Sequence, residues 1–138
     1  MAAVSRVQWN PSQSVTPIGF TANAAQGAGV TAFMLYQYST VENRVAMQAP
    51  CDGTIRNLYA YSDVAPGAGE TLTYTVRVAE ADTAVTCQIA GAADQEANDL
   101  NNSVEVNADD MISVKCVSSA GAAISRSSGG FLFIARGF

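Results

Sequence analysis

The sequence predicts an all-β protein, one antiparallel β-sandwich or barrel of about eight or nine short strands. Apolar and polar residues alternate along most of the chain, threonine and β-branched residues dominate the alternating runs, and turn signals recur about every 8–12 residues. A length of 138 residues with 49% hydrophobic content fits one domain with an ordinary packed core.

The clearest local prediction is a hairpin. Residues 72–78 read LTYTVRV, so that leucine, tyrosine and valine point to one face and threonine and arginine point to the other. Residues 84–91, AVTCQIAG, repeat the alternation. The EADT between the two runs is short and polar, as expected of a hairpin connection.

Another strand is predicted at residues 53–62, which read GTIRNLYAYS. Side chains of a strand point alternately to its two faces. Strict alternation therefore places Ile55, Asn57, Tyr59 and Tyr61 on one face, with arginine, leucine and alanine on the other.

The remaining strands are predicted from shorter runs. Those runs are residues 30–38, 44–50, 103–107, 111–117 and 131–136. The last of them, FLFIAR, is apolar on both faces, which is typical of a strand buried on two sides or at a subunit contact. Residues 92–100, AADQEANDL, are predicted to hold one helical turn at most.

The first 41 residues carry one charged side chain, Arg6. We divide the chain into an N-terminal arm or extended edge segment at 1–29 and a β-sandwich domain at 30–138. The arm is either a strand folded onto its own sandwich, a segment that docks on a partner, or disordered. If it docks on a partner, deletion of residues 1–20 should leave a folded sandwich.

Charge and hydropathy argue against two classes of partner. Acidic residues outnumber basic residues by 12 to 7, and the net charge is −5. Binding to nucleic acid needs clustered lysine and arginine, whereas the chain has one lysine and scattered arginines. No stretch approaches the roughly 20 apolar residues of a membrane span. We therefore predict no nucleic-acid partner and no membrane partner.

The cysteines point to a reducing compartment. Cys51, Cys87 and Cys116 are odd in number and widely spaced, which argues against a disulfide framework. The N-terminal sequence also lacks the continuous apolar core of a secretory signal. We therefore predict free thiols and assembly in a cytoplasm.

Chemically reactive combinations of residues are scarce. The sequence has no histidine, which excludes Ser–His and Cys–His nucleophile pairs and most zinc sites. We predict that the protein is not an enzyme and has no cofactor, no catalytic residue and no metal site. Asp94, Glu96 and Asp99 leave calcium as an alternative to solvated turns, although they lack the glycine and the terminal glutamate of an EF-hand loop.

Residues 53–121 resemble a pattern of surface proteins from tailed-bacteriophage virions. The pattern reads GTIRNLYAYS, then APGAGETLTYTVRV, then DTAVTCQIAG, then NNSVEVNADDMISVKCVSS. It covers about half of the chain, and its motifs are structural. The resemblance implies a jelly-roll-like antiparallel β-sandwich that serves as a cement, or capsid decoration, protein.

This resemblance also implies a role and a location. Such a protein is a structural part of the virion, assembled in the host cytoplasm, that binds the outside of an icosahedral capsid and stabilises contacts between capsid subunits. Its partners are the major capsid protein and further copies of itself. We favour a homodimer over a homotrimer because two-fold contacts are the most common.

Aromatic and arginine side chains carry most of the binding energy of protein interfaces. The predicted capsid or subunit contacts are Arg6, Trp9, Phe20, Phe131, Phe133 and Phe138. Related sandwiches occur in tail fibres, so the alternative is a tail-fibre or tail-tip receptor-binding module. That module would hold a host glycan or protein with the region of Tyr59 and Tyr61 or with the acidic loops.

Overall fold

A computed structural model describes residues 14–136 of the chain. This part contains ten β-strands and one short 3-10 turn at Glu42–Arg44. The strands are β1 (Val15–Thr21), β2 (Thr31–Met34), β3 (Tyr38–Ser39), β4 (Met47–Gln48), β5 (Gly53–Ser62), β6 (Gly67–Val78), β7 (Ala81–Gly91), β8 (Glu96–Val106), β9 (Met111–Ser118) and β10 (Ser127–Ala135).

The strands form two antiparallel sheets that enclose one hydrophobic core. The first sheet has the order β1-β10-β5-β8, and the second has the order β3-β2-β9-β6-β7, with β4 paired to β9. Without the two-residue strands β3 and β4, this is the strand order of a jelly roll, in which two Greek keys wrap around each other. The predicted all-β, jelly-roll-like sandwich is therefore confirmed.

The predicted hairpin is formed by β6 and β7. Along β6 the side chains of Leu72, Tyr74 and Val76 are buried, and every second residue of β7 from Val85 to Ile89 is buried as well. The chain reverses at Ala79 and Glu80, which have positive φ angles of 51° and 62° and connect the Val78–Ala81 pair. Two central residues with positive φ define the turn type whose twist matches that of the strands.

The prediction that side chains alternate strictly between the two faces of β5 was wrong. Asn57 has a φ of 56° and forms a β-bulge, so the register against β10 shifts between Gly130 and Leu132. The extra residue moves each later side chain of β5 to the face opposite to the predicted one. Ile55 is buried, but Tyr59 and Tyr61 are 52% and 46% exposed.

The segment 92–100 contains no helical turn. Its second half belongs to β8, which begins at Glu96 and pairs with β5. Opposite Asn57, residues 100–102 bulge out of β8, because Arg56 pairs with Ser103 and Leu58 pairs with Asp99. Acidic and amide residues favour turns when considered locally, but pairing with β5 overrides that preference.

The last strand, β10, is buried fully on one face only. It lies between β1 and β5, and its inward residues Phe131 and Phe133 are 2% and 3% exposed. Its outward residues Leu132 and Ile134 are half-buried. Neighbouring strands cover its edges, while the outer surface of the first sheet stays partly open.

The sandwich begins earlier than the predicted boundary at residue 30. The edge strand β1 pairs with β10 from Val15 to Thr21, so these residues belong to the sandwich and form an extended edge segment. Phe20 is 3% exposed, and its ring centroid lies 6.3 Å from that of Tyr74 in the second sheet. Deletion of residues 1–20 would remove this core contact. We therefore no longer expect the shortened chain to keep a stable sandwich.

Phe20 reaches the core because its neighbour on β10 is Gly129. A Cβ on Gly129 would overlap the carbonyl oxygen of Tyr59 and lie 2.6 Å from the Phe20 ring. Glycine is therefore required here by close packing, with the aromatic ring covering the bare backbone.

We expect Gly129→Ala to lower the free energy of unfolding by about 2–3 kcal/mol, because an added methyl group overpacks the core. Gly19→Ala is the matched control, since its Cβ would meet the carbonyl oxygen of Gly129 at 3.7 Å, an ordinary contact. The control should change stability by less than about 0.5 kcal/mol. Urea unfolding measures both, and equal effects would contradict this account of the packing.

Candidate functional site

Three of the predicted contact residues lie in the core of their own domain. Phe20, Phe131 and Phe133 are 3%, 2% and 3% exposed and belong to the cluster between the two sheets. A partner cannot reach these rings without opening the sandwich, so the prediction that they form surface contacts is corrected. These aromatic side chains pack in the core. Sequence alone could not distinguish this role from a role at an interface.

The other three predicted contacts are Arg6, Trp9 and Phe138. They lie outside residues 14–136, the part of the chain that the structure describes. Their role as capsid or subunit contacts therefore stays a prediction.

The outer surface of the first sheet presents a set of residues that we name the tyrosine face. Strand pairing aligns its members in two rows that cross β1, β10, β5 and β8. The first row is Gly19, Gly130, Tyr59 and Asn98, and the second row is Thr21, Ser128, Tyr61 and Glu96. The Asn57 bulge creates this face, because without it the two tyrosines would point into the core.

A groove runs beside Tyr59. It has a volume of about 350 Å³, and its floor is the backbone of Gly19, Gly129 and Gly130. Strands lie about 4.8 Å apart, so two adjacent glycine positions leave a bare strip about 10 Å wide beside the tyrosine ring. Pro17, Asn57 and Leu132 also line the groove. Glycine pairs are visible in the sequence, but only the pairing of Gly19 with Gly130 shows that they form one floor.

A second depression lies on the other side of the tyrosine rings. It has a volume of about 410 Å³ and is lined by Tyr59, Tyr61, Glu96 and Asn98. The rings thus stand as a ridge with bare backbone on one side and a carboxylate and an amide on the other. Such a surface offers aromatic contact together with groups that accept and donate hydrogen bonds.

A third groove lies at the edge of the sandwich, beside β1. It has a volume of about 330 Å³, and Tyr36, Met47, Pro50 and Cys51 form one wall. Tyr36 is 71% exposed, the most open of the large hydrophobic side chains in the described part of the chain. This edge groove shares Pro17, Ile18 and Gly19 with the groove beside Tyr59, but neither Tyr59 nor Tyr61 lines it.

The acidic residue Asp99 has a structural role. It is 6% exposed, and its carboxylate accepts the backbone N–H groups of Asn101 and Asn102 at 3.0 and 3.1 Å. It also accepts the backbone N–H of Thr86 on β7 at 3.1 Å, so it joins the two sheets. Burial raises the pKa of Asp99, but hydrogen bonds from the Asn102 side chain and these backbone groups outweigh it and lower the pKa overall.

Asp94 and Glu96 are exposed and do not join Asp99 in a common ligand set. Asp94 lies in the turn before β8, and Glu96 points outward from β8. Among residues 14–136, no three histidine, cysteine, aspartate or glutamate side chains are close enough to hold a metal ion. No helix in that part of the chain is long and apolar enough to cross a membrane.

The outer surface of the second sheet carries a charged cluster. The Arg77 guanidinium donates from Nε and Nη2 to the two carboxylate oxygens of Glu42 at 2.8 and 2.9 Å. Asp82 accepts from Arg77 at 2.6 Å and also from Lys115. Ser113 donates to Glu42 at 2.8 Å. These bonds attach the Glu42–Arg44 turn to β6 and β9, so the charges support the fold.

The cluster shifts the titration of its carboxyl groups. The hydrogen bond from Arg77 is the main reason that the pKa of Glu42 is lowered from 4.5, with burial opposing it and Ser113 assisting. Hydrogen bonds from Lys115 and then Arg77 lower the pKa of Asp82 from 3.8. Both groups therefore bind protons more weakly in the folded chain than in the unfolded chain.

The three cysteines are free. Cys116 and Cys87 are buried on inward positions of β9 and β7, and burial is the main reason that the pKa of each thiol is raised to about 12. Such thiols stay protonated at neutral pH and act as small apolar core residues. Cys51 is half-buried in the edge groove.

No protein-family model matches the sequence, and no curated protein matches it. The resemblance to cement proteins therefore stays a prediction from the quoted motifs.

We expect the protein to lose stability as the pH falls below about 4.5, the ordinary pKa of a glutamate carboxyl group. Because the folded pKa of Glu42 is lowered, its stabilising effect is present above the unfolded pKa and is lost as the pH falls through the folded value. Glu42→Gln should be less stable at pH 7 by about 1–3 kcal/mol and should show a smaller loss in acid.

The control for this prediction is Glu80→Gln, a change of an exposed side chain in the β6–β7 turn. Urea unfolding at a series of pH values measures both variants. An acid dependence of Glu42→Gln as steep as that of the unchanged protein would show that this carboxylate is not the group that titrates.

Proposed function

We propose that the chain is a structural virion protein, a cement or decoration protein that binds the outside of an icosahedral phage capsid. The observation that carries this proposal is the exposed edge of β1. This strand ends the first sheet, and Val15 at its start is 51% exposed. Residues 1–13, whose one charged side chain is Arg6, directly precede it in the sequence.

The edge groove beside β1 adds apolar surface at the same place. Tyr36, Met47 and Pro50 line it, and the exposed ring of Tyr36 suits a contact with a neighbouring protein. Aromatic residues are enriched at the centres of protein interfaces because they bury a large area at low entropic cost. We assign this edge to the major capsid protein or to a second copy of the chain.

Pro17 limits the kind of contact that β1 can make. Proline has no backbone N–H, so it interrupts the row of donors that an added strand would need. It therefore protects the free edge from indefinite strand addition. Side chains of the edge and of the preceding segment, rather than a continued sheet, supply the contacts in our proposal.

A decoration protein of this kind stabilises a capsid by binding the assembled shell more tightly than free subunits. A contact of about 1,600 Å² at each junction would be sufficient. Contacts between copies, for which a homodimer is our first choice, raise the effective concentration of each binding edge. The proposal needs no catalytic residue and no cofactor, and it places the protein on the capsid exterior after assembly in the host cytoplasm.

Deletion of residues 1–13 tests the contribution of the N-terminal segment. Because β1 begins at Val15, the shortened chain keeps the strand pairing with β10 and should stay folded. We expect its affinity for assembled heads that lack the protein to fall about tenfold or more, or about 1.4 kcal/mol. Co-sedimentation of the chain with purified heads measures this.

Tyr36→Ser should weaken head binding in the same assay, while Tyr61→Ser on the tyrosine face serves as its control. Both tyrosines are exposed, so neither change disturbs the core. Equal binding by the full chain, the shortened chain and Tyr36→Ser would refute the assignment of this edge.

A tail-fibre or tail-tip module is the second candidate, and the exposed tyrosine face favours it. Copy number separates the two locations, because a decoration protein covers the shell in many copies and a tip protein is present in few. Quantitative mass spectrometry of purified virions gives that number. A small number of copies would replace the first proposal with the second.

A further inference from the structure

We propose that the tyrosine face is a binding site for neutral carbohydrate. The site lies on the outer surface of the first sheet and shares Gly19 of β1 with the edge groove, but its tyrosines lie on β5 and do not line that groove. It does not rest on the capsid contact proposed above. A glycan site of this kind would give a decorated particle weak adhesion to a sugar-bearing surface, whether the chain sits on the head or on the tail.

The aromatic ridge supplies the stacking surface. Tyr59 and Tyr61 are two residues apart on β5, after the bulge, and both point outward with about half of their surface exposed. The face of an aromatic ring carries negative charge density. The C–H bonds on one side of a pyranose ring are slightly positive, so the sugar and the tyrosine ring attract each other.

Bare backbone supplies the space. Gly19 and Gly130 are paired directly beside Tyr59, and neither puts a side chain into the groove. The resulting strip, about two strands wide, admits a flat ring that lies against the backbone and contacts the tyrosine from the side. Larger residues at these positions would fill the groove, so its presence depends on this glycine pair.

Hydrogen-bonding groups surround the ridge on both sides. Asn98 and Glu96 are the cross-strand partners of Tyr59 and Tyr61 on β8, and Ser128 and Thr21 complete the second row on β10 and β1. An amide, a carboxylate and hydroxyl groups both accept and donate hydrogen bonds. Adjacent sugar hydroxyls need this mixture, because each is a donor and an acceptor.

The charge of the face selects among ligands. Its eight residues include one carboxylate, that of Glu96, and neither lysine nor arginine. Within the two rows, phosphate, sulfate and sialic acid would meet a negative charge and no cation. Arg56 lies outside the rows and donates to Asn57, which lines the groove, at 3.4 Å. A protein partner would place apolar groups against the groove, but the carboxylate and amide on the other side of the tyrosines would still need hydrogen-bond partners. A neutral polyhydroxylated ligand fits all of these groups.

The test uses the full chain on an array of neutral and anionic oligosaccharides, followed by calorimetry with the neutral oligosaccharide that binds best. We expect binding with a Kd between about 1 mM and 1 µM. The double variant Tyr59→Ala, Tyr61→Ala should weaken it about tenfold or more. Tyr36→Ala is the matched control, because this tyrosine is 71% exposed but lies in the edge groove.

Two further variants separate stacking from hydrogen bonding. Gly19→Val places a branched side chain in the groove without strain, because its Cβ makes only an ordinary contact, and it should reduce binding about tenfold. Glu96→Gln should weaken binding severalfold and should not create affinity for anionic sugars. The unfolding midpoint of each variant in urea confirms that the sandwich is intact.

Several results would overturn the proposal. These are an array without a neutral ligand, binding restricted to anionic sugars, or neutral-sugar binding that Tyr36→Ala weakens as much as the double variant does. A change in oligomeric state on Gly19→Val, measured by sedimentation, would show that the face joins two copies of the chain. Head binding is tested by the deletion of residues 1–13 and by Tyr36→Ser, which leave Tyr59 and Tyr61 unchanged, so the two proposals fail separately.

Discussion

The close approach of Phe20 to the backbone of Gly129 is the constraint on which the first sheet depends. Phe20 lies on an edge strand, and its ring reaches the core only because the neighbouring position on β10 has no side chain. There it packs against Tyr74 of the second sheet, whose hydroxyl is 2.7 Å from the Ser127 hydroxyl. The packing of Phe20 therefore links the edge strand β1, its neighbour β10 and the second sheet.

The same glycine-rich stretch connects the core to the outer surface. Gly129 points inward and receives Phe20, while Gly130 points outward and pairs with Gly19. A side chain at the first position would overpack the core. A side chain at the second would fill the groove beside Tyr59 and would place its Cβ 2.9 Å from the carbonyl oxygen of Ile18. Both the fold and the candidate sugar site therefore need glycine at neighbouring positions of β10.

Polar groups in this sandwich serve mostly to hold strands and turns together. Arg77 joins the Glu42–Arg44 turn to β6, and Asp99 supports the bulge of β8 while binding β7. Buried carboxylates are stable when hydrogen bonds and cations replace their lost hydration. Exposed aromatic and apolar side chains lie at the β1 edge and on the tyrosine face, so we assign contacts there and assign no chemistry to the charged cluster.

The sequence by itself determined the fold class, the β6–β7 hairpin and most of the core, because alternation with a period of two records which face of each strand is buried. It could not show the bulge at Asn57, which reverses the direction of Tyr59 and Tyr61. It also could not separate core phenylalanines from contact phenylalanines, since both are apolar and burial depends on neighbours distant in sequence. Tertiary pairing decided both points, because only the register of β1, β10, β5 and β8 brings their residues into common rows.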